Sequence, residues 1–561
     1  APMCALRGCH TTAEQAFEMW AAQPLPNVEL SWVRVPERRQ SECLRFLATH
    51  CRNARHVAIG ETAHFNERLL LRLVCGMRLL ESLEVDAPPL GGGFPEPQRL
   101  LDRLAKYCPR LQHLAISFRH EAPAERCILE VRALAWLGRR LLTLDLSAVA
   151  VRVAGGSWTL AACCPQLERL CAQLCQQHGH PMDAVDPSDL ARGCKHLQDL
   201  DLSPVDWDDA VLASFVAEAP CLRSLSLRHV APGATASLLA PLTALALAPP
   251  PTWPLPSGAA TAGATRLGPL VVLHLALHAR SDAARAARWL EAVARLRGLR
   301  SLCLDYAAPL RLAAVVKALS GGGEVCAEPG GCCGGLAALT VHGCHGVDDD
   351  AVHLLALACP GLEQLRLFPD SWREVGEVSD AALGNLLASL PRLRSLAVGS
   401  RLELRAAAPE APLPRLQSLS LFAPLCDIAC EGIAAWRCLR HLWLGPHKLM
   451  QHGVGSESSI SDAGLTVVAL ACPGLLDLTI ASRGITDVGA VAVFHACCEL
   501  RRLRLGGRGI TDACLVALAG LSQPRLERFA LWFSGVTVEG SQRAEEAMPW
   551  TYFDIEAVDP T

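Results

Sequence analysis

The feature that most limits what this chain can fold into is a six-residue pattern, Leu-x-x-Leu-x-Leu, that returns almost from one end to the other. Clear copies begin at Leu80 (LESLEV), Leu141 (LLTLDL), Leu222 (LRSLSL), Leu362 (LEQLRL), Leu439 (LRHLWL) and Leu500 (LRRLRL); weaker ones begin at Leu25 (LPNVEL) and Ala54 (ARHVAI). With the intermediate copies there are about nineteen, most of them roughly 23 to 31 residues apart. Between Ser482 and Gly520 the chain says almost the same thing twice, Ile485-Thr486-Asp487 returning as Ile510-Thr511-Asp512. Alternating leucines give a short strand one apolar face. A single unit of this length cannot bury enough of that face to fold alone. Stacked units share a continuous core, so the chain must repeat to be stable.

The rest of each unit reads as a helix. In "ISDAGLTVVALACPGL", Ser461 is placed to cap the first turn and Asp462 suits the positive helix end. Leu465, Val468 and Cys472 follow at helical spacing, and Pro473 stops the helix. The same grammar begins at Val347 and at Val378. A strand followed by a helix at this period is the leucine-rich repeat. The expected fold is therefore an α/β leucine-rich-repeat solenoid of about 19 units, a horseshoe or near-closed ring with parallel strands concave and helices convex.

The solenoid is expected over 25–535, with 1–24 as an N-terminal cap or the remnant of an upstream segment and 536–561 as a C-terminal cap. Four Pro- and Gly-rich stretches, 87–98, 248–269, 320–335 and 406–414, read as loop insertions because the repeat resumes after each.

The net charge of −4 at pH 7, with only 19% charged residues, excludes a broadly basic nucleic-acid binder and an acidic disordered tail. No apolar run reaches the ~18 residues of a membrane span, and the first residues lack the apolar core of a signal peptide. The 26 cysteines sit inside the repeat, often before proline, and read as reduced, buried thiols of a cytoplasmic or nuclear protein. Cys171/Cys175 and Cys426/Cys430 are read as packing thiols in the same way.

Catalytic motifs are absent: there is no G-x-x-x-x-G-K-[ST], H-E-x-x-H, G-x-S-x-G or G-x-G-x-x-G. A non-catalytic binding subunit is expected. Cys326, Cys332, Cys333, His342, Cys344 and His345 include good zinc ligands. They lack paired C-x2-C spacing, and His342 falls beside a repeat strand, so they are read as ordinary loop and repeat residues with no metal site.

In Leu-x-x-Leu-x-Leu the third and fifth positions point away from the leucines. Early and middle copies place Glu84, Asp145, Asp199 and Asp201 there. Late copies place Arg366, His441, Trp443, Arg502, Arg504 and Arg528 there, with Trp532 just beyond. The late strip is the candidate substrate-binding surface, because guanidinium forks bind carboxylate or phosphate at two points and a large exposed aromatic asks to be covered.

The combination of LxxLxL, an Ile/Val-Ser/Thr-Asp helix start and an "ACPGL" helix end resembles the cysteine-containing leucine-rich repeats of F-box proteins. Cys108-Pro109, Cys164-Pro165, Cys359-Pro360 and Cys472-Pro473 carry the signature, as do Asp462, Asp487 and Asp512. The resemblance implies a substrate receptor of an SCF-type cullin–RING ubiquitin ligase, promoting proteasomal degradation. Its partners would be a protein substrate, a Skp-type adaptor and a cullin, with no nucleic acid and no membrane. The F-box itself is not visible, and the residues before the first copy are too few to form one. A non-ligase scaffold of cytoskeletal or assembly type is the alternative. The number of units and the ending "AMPWTYFDIEAV" are also similar to the auxin and jasmonate receptor branch, which implies an inositol polyphosphate and a small ligand. Those receptors' contact residues find no match here, and from the residues themselves no cofactor is expected.

Overall fold

The computed structural model describes residues 27–29, 52–59, 67–87, 97–118, 128–152, 159–174, 187–203, 209–219, 221–227, 270–276, 283–296, 298–305, 310–320, 332–369, 377–399, 401–402, 415–422, 425–445, 459–521, 525–548 and 551–555. The chain forms two compact units, Ala1–Leu273 and His274–Thr561. Each is an α/β solenoid in which parallel strands alternate with helices.

In the first unit the central leucines come into one register. Leu83, Leu114, Leu144, Leu170, Leu200 and Leu225 are successive cross-strand partners. In the second unit the same column runs from Leu302 through Leu339, Leu365, Leu396, Leu419, Leu442, Leu478 and Leu503 to Phe529 and Phe553. All are buried. Repetition of one residue type at one strand position therefore becomes a continuous apolar column. The expected copy at Leu242 lies outside the described residues. After the last expected copy, a helix at Val538–Ala547 and a strand at Tyr552–Ile555 continue the alternation.

The helix starts follow the sequence grammar. Ser379, Ser461, Thr486, Thr511 and Thr537 each accept a hydrogen bond from a backbone N–H in the first turn. Cys164, Cys359 and Cys472, each before a proline that cannot continue the helix, leave the helical region at ψ of 61°; Cys497, before Cys498, does so at 71°.

The aspartates do more than face the helix dipole. Asp462 Oδ1 accepts from Thr486 N (2.8 Å) and Gly489 N (3.0 Å), and its Oδ2 accepts from Thr486 Oγ1 (2.6 Å). Asp427 holds Ser461 in the same manner, Asp487 holds Thr511, and Asp512 holds Thr537. Asp349 does so for Ser379. Each aspartate thus ties the start of its own helix to the cap of the next, a ladder across the helical layer. At three rungs a glycine makes room for the carboxylate: a Cβ on Gly464, Gly489 or Gly540 would lie 2.1–2.4 Å from an aspartate oxygen, whereas Ala382 and Cys514 stand at the same place in the other two.

Buried thiols form a second ladder. Cys108 Sγ donates to Val74 O, Cys194 to Cys164 O, Cys472 to Trp436 O and Cys497 to Ala469 O. Burial pushes the thiols up, to about 12 for Cys108, Cys430 and Cys497. The described cysteines are free thiols. Among the described residues no helix is long and apolar enough to cross a membrane.

Candidate functional site

The face of each sheet opposite the helices carries the third and fifth positions of every strand. In the second unit the fifth positions run in register from Thr340 to Arg366, Ala397, Ser420, Trp443, Thr479, Arg504, Ala530 and Asp554. The third positions place His441 beside Asp477, then Arg502, then Arg528. Trp532 is in register with Gly506 at the seventh position. All seven residues of the expected strip lie on this face, Arg366 and Arg502 exposed and the other five half-buried.

Their partners divide them. Asp477 sits inside the cluster: His441 Nδ1 meets its Oδ2 at 2.8 Å, and Arg502 meets it with two nitrogens, at 2.7 and 2.5 Å. Arg528 meets Asp554 at 2.9 Å. Arg504 is different. Its guanidinium makes no hydrogen bond or ion pair with a described residue, although it is half-buried. Burial and the neighbouring Arg528 and Arg502 charges hold its pKa below the ordinary arginine value, against the pull of Asp477 and Asp554. Its direct cross-strand partners, Thr479 and Ala530, have short side chains.

Toward the start of the unit the face turns aromatic. His342 stacks on Phe368 with ring centres 4.7 Å apart. Phe368 meets Phe422 at 5.6 Å, and Phe422 meets Trp443 edge-on at 5.4 Å. Phe368 and Phe422 follow their hexads directly, on the same side as the third and fifth positions. The sequence reading went past the fifth position only at Trp532 and so missed both. It also passed over Asp477 and Asp554, although Asp477 occupies a third position and could have been counted.

A separate cluster lies at the beginning of the unit. His274 Nε2 and Asp305 Oδ2 are 2.6 Å apart, and Cys303 Sγ lies 3.9 Å from Asp305 Oδ1. Burial opposes the imidazolium, but the hydrogen bonds with Asp305 and Cys303 outweigh it and push His274 up to about 9. This group was not picked out from the sequence, where His274 and Asp305 are 31 residues apart. Of the cysteine–histidine group that was picked out, Cys326 lies outside the described residues. Cys333 and Cys344 are buried, and the Cys344 thiol points at Phe368 O (3.7 Å).

No protein-family model matches this chain, and no curated protein does. Among solved structures it is similar to TLR13 in its complex with ssRNA13, at a TM-score of 0.29 and 14% identity, covering 91% of this chain and 65% of that one. It is similar to the leucine-rich-repeat protein LIC12759 of Leptospira interrogans (TM-score 0.27, 12% identity, 97% and 99% covered). It is also similar to a chain of the yeast Rad7–Elc1 complex (TM-score 0.26, 11% identity, 96% and 83% covered). This chain thus spans just under two thirds of the TLR13 chain. Likenesses at this level carry no argument about function.

Proposed function

We propose that this chain is a protein-recognition scaffold, and that the open strand face of its second unit holds an acidic or phosphorylated segment of a target protein. The observation that carries this is Arg504. Arg504 is half-buried and has no carboxylate at hydrogen-bond distance among the described residues, so an incoming carboxylate or phosphate can engage it with paired, charge-assisted hydrogen bonds. Arg502 and Arg528 stand beside it, each held by an aspartate, Asp477 and Asp554, that largely balances its charge. Trp443 and the aromatic row beside it supply an apolar anchor, the kind of residue that dominates interface energetics. No covalent step is involved; the face positions a target.

The cellular role that accords with the F-box resemblance is substrate reception for an SCF-type ubiquitin ligase, with a Skp-type adaptor and a cullin as further partners and the cytoplasm or nucleus as its place. Its test is co-purification of the full-length protein with the adaptor. Failure to co-purify leaves the recognition face in place and makes the protein a scaffold outside the ligase.

Recognition itself is tested by screening the purified chain against a peptide array of matched acidic, phosphoserine and lysine-substituted sequences. Capture of the acidic or phosphorylated set, lost in R504E, is the expected result. Capture that is indifferent to peptide charge and to R504E overturns the assignment.

A further inference from the structure

We propose that His274, Cys303 and Asp305 form a zinc-binding site on the open face at the start of the second unit. The three belong to two strands, Val272–Ala276 and Ser301–Asp305. Their neighbours Leu273, Leu275, Leu302 and Leu304 turn into the core, which fixes the backbone beneath the site. One imidazole nitrogen, one sulfur and one carboxylate oxygen lie within 4.8 Å of one another. Among the described residues this is the only such convergence of three potential ligands.

The donor set selects the ion. Calcium and magnesium take oxygen ligands and leave imidazole and thiol aside. An imidazole, a thiolate and a carboxylate together suit zinc, which commonly takes all three. Zinc bonds of about 2.0–2.3 Å in a tetrahedron set ligand atoms about 3.3–3.8 Å apart. The 3.9 Å from Cys303 Sγ to Asp305 Oδ1 is already close to that, the 2.6 Å from His274 Nε2 to Oδ2 needs to open by about 1 Å, and the carboxylate must turn to offer one oxygen to the ion or bind it through both. Asp305 is the hinge of the arrangement, since it touches both other ligands through different oxygens.

Side-chain exposures of 21% for His274 and 25% for Asp305 leave the group reachable from the open face. Three protein ligands leave a fourth position for water or for a side chain of a bound partner, the pattern of open rather than closed zinc sites. His342 is close enough for its charge to couple to both His274 and Asp305, but its ring is stacked on Phe368 and is not among the three. The proposal does not rest on the peptide-binding reading: the site would bind metal whether or not Arg504 binds an anion.

The test is a titration of the full chain, stripped with chelator and held reduced, with Co2+ followed by Zn2+. One equivalent of Co2+ should give a thiolate-to-cobalt charge-transfer band that Zn2+ removes. C303S should lose that band and that equivalent, and D305N and H274N should each weaken Zn2+ binding by at least ten-fold. Added Zn2+ should raise the melting temperature of the wild type and leave that of C303S unchanged. Should C303S fold poorly, D305N and H274N carry the same comparison. Failure of the wild-type chain to bind either metal, or the same band and stoichiometry in C303S as in the wild type, overturns the site and leaves a histidine–aspartate ion pair with a neighbouring thiol.

Discussion

The two units are alike on the side that is hidden and unlike on the side that is open. Behind the strands, Leu144 and Leu200 of the first unit do the same work as Leu442 and Leu503 of the second. In front, the fifth positions of the first unit carry Glu84, Asp145, Cys171 and Asp201 and no cation, while those of the second carry Arg366, Trp443 and Arg504. First-unit charges are also partly satisfied at home: Asp199 pairs with Arg169 at 2.8 Å, and Asp145 accepts from Ser147 N at 2.9 Å. The lesson is that the repeat constrains only what it buries. Side chains that face away from the core are free of the period, and there the recognition chemistry can be placed.

If the hidden sides are alike, a perturbation of the core should weaken both units, and alkaline pH is the largest one. Buried thiols such as Cys108 and Cys194 in the first unit and Cys344, Cys472, Cys497 and Cys514 in the second sit at about 11–12 instead of 9.0. Below pH 9 both folded and unfolded chains keep these protons, so the thiols give no pH dependence. Between about 9 and 12 the unfolded chain loses them first, it binds fewer protons than the folded chain, and stability falls as pH rises. At pH 10 each such thiol costs about 1 kcal/mol. Denaturation midpoints in both units, followed by site-resolved hydrogen exchange, should therefore drop steeply from pH 9 to 10. A drop in one unit alone would break the comparison.

The aspartate ladder should distinguish the units in the opposite sense. Asp462→Ala removes the acceptor for Thr486 N, Thr486 Oγ1 and Gly489 N, and should cost about 2–4 kcal/mol, with hydrogen-exchange protection lost in the second unit and retained in the first. Gly489→Ala is the next smaller effect. It brings a Cβ to 2.4 Å from the Asp462 carboxylate and should cost about 1–3 kcal/mol in the wild type. In an Asp462→Ala background that penalty should shrink or change sign, a coupling that a double-mutant cycle of denaturant midpoints measures directly. The smallest effect belongs to the open face of the first unit: exposed Glu84→Gln should change stability by less than about 0.5 kcal/mol and leave peptide capture unaltered.

The repeat itself was legible because its signals are local. Leucine spacing sets the strand face, Ser461 and Thr486 announce helix starts, and Cys-Pro marks helix ends, so the solenoid and its register follow from short stretches. The partner of Asp462 is 24 residues away and has no local signal, although glycine recurring at Gly464, Gly489 and Gly540 was a trace of the carboxylates that cross there. The contacts of the open face were harder to see. Asp477 becomes part of the arginine cluster, and His274 meets Asp305, only once strands from different units of the repeat are laid side by side. Pattern reading yields the positions that face outward and leaves open which of them touch.

The central claim concerns Arg504, and one binding measurement addresses it. An acidic or phosphoserine peptide taken from the array should bind the wild-type chain. Arg504→Glu should weaken it by at least about 100-fold, as loss of a charge-assisted pair and its reversal require, with a melting temperature within the error of the wild type. Arg502→Glu is a poorer probe, because it also breaks the two-nitrogen ion pair with Asp477. If the Arg504→Glu chain binds the peptide as tightly as the wild type, the open face of the second unit is not the recognition site, and the half-buried guanidinium has another reason to be there.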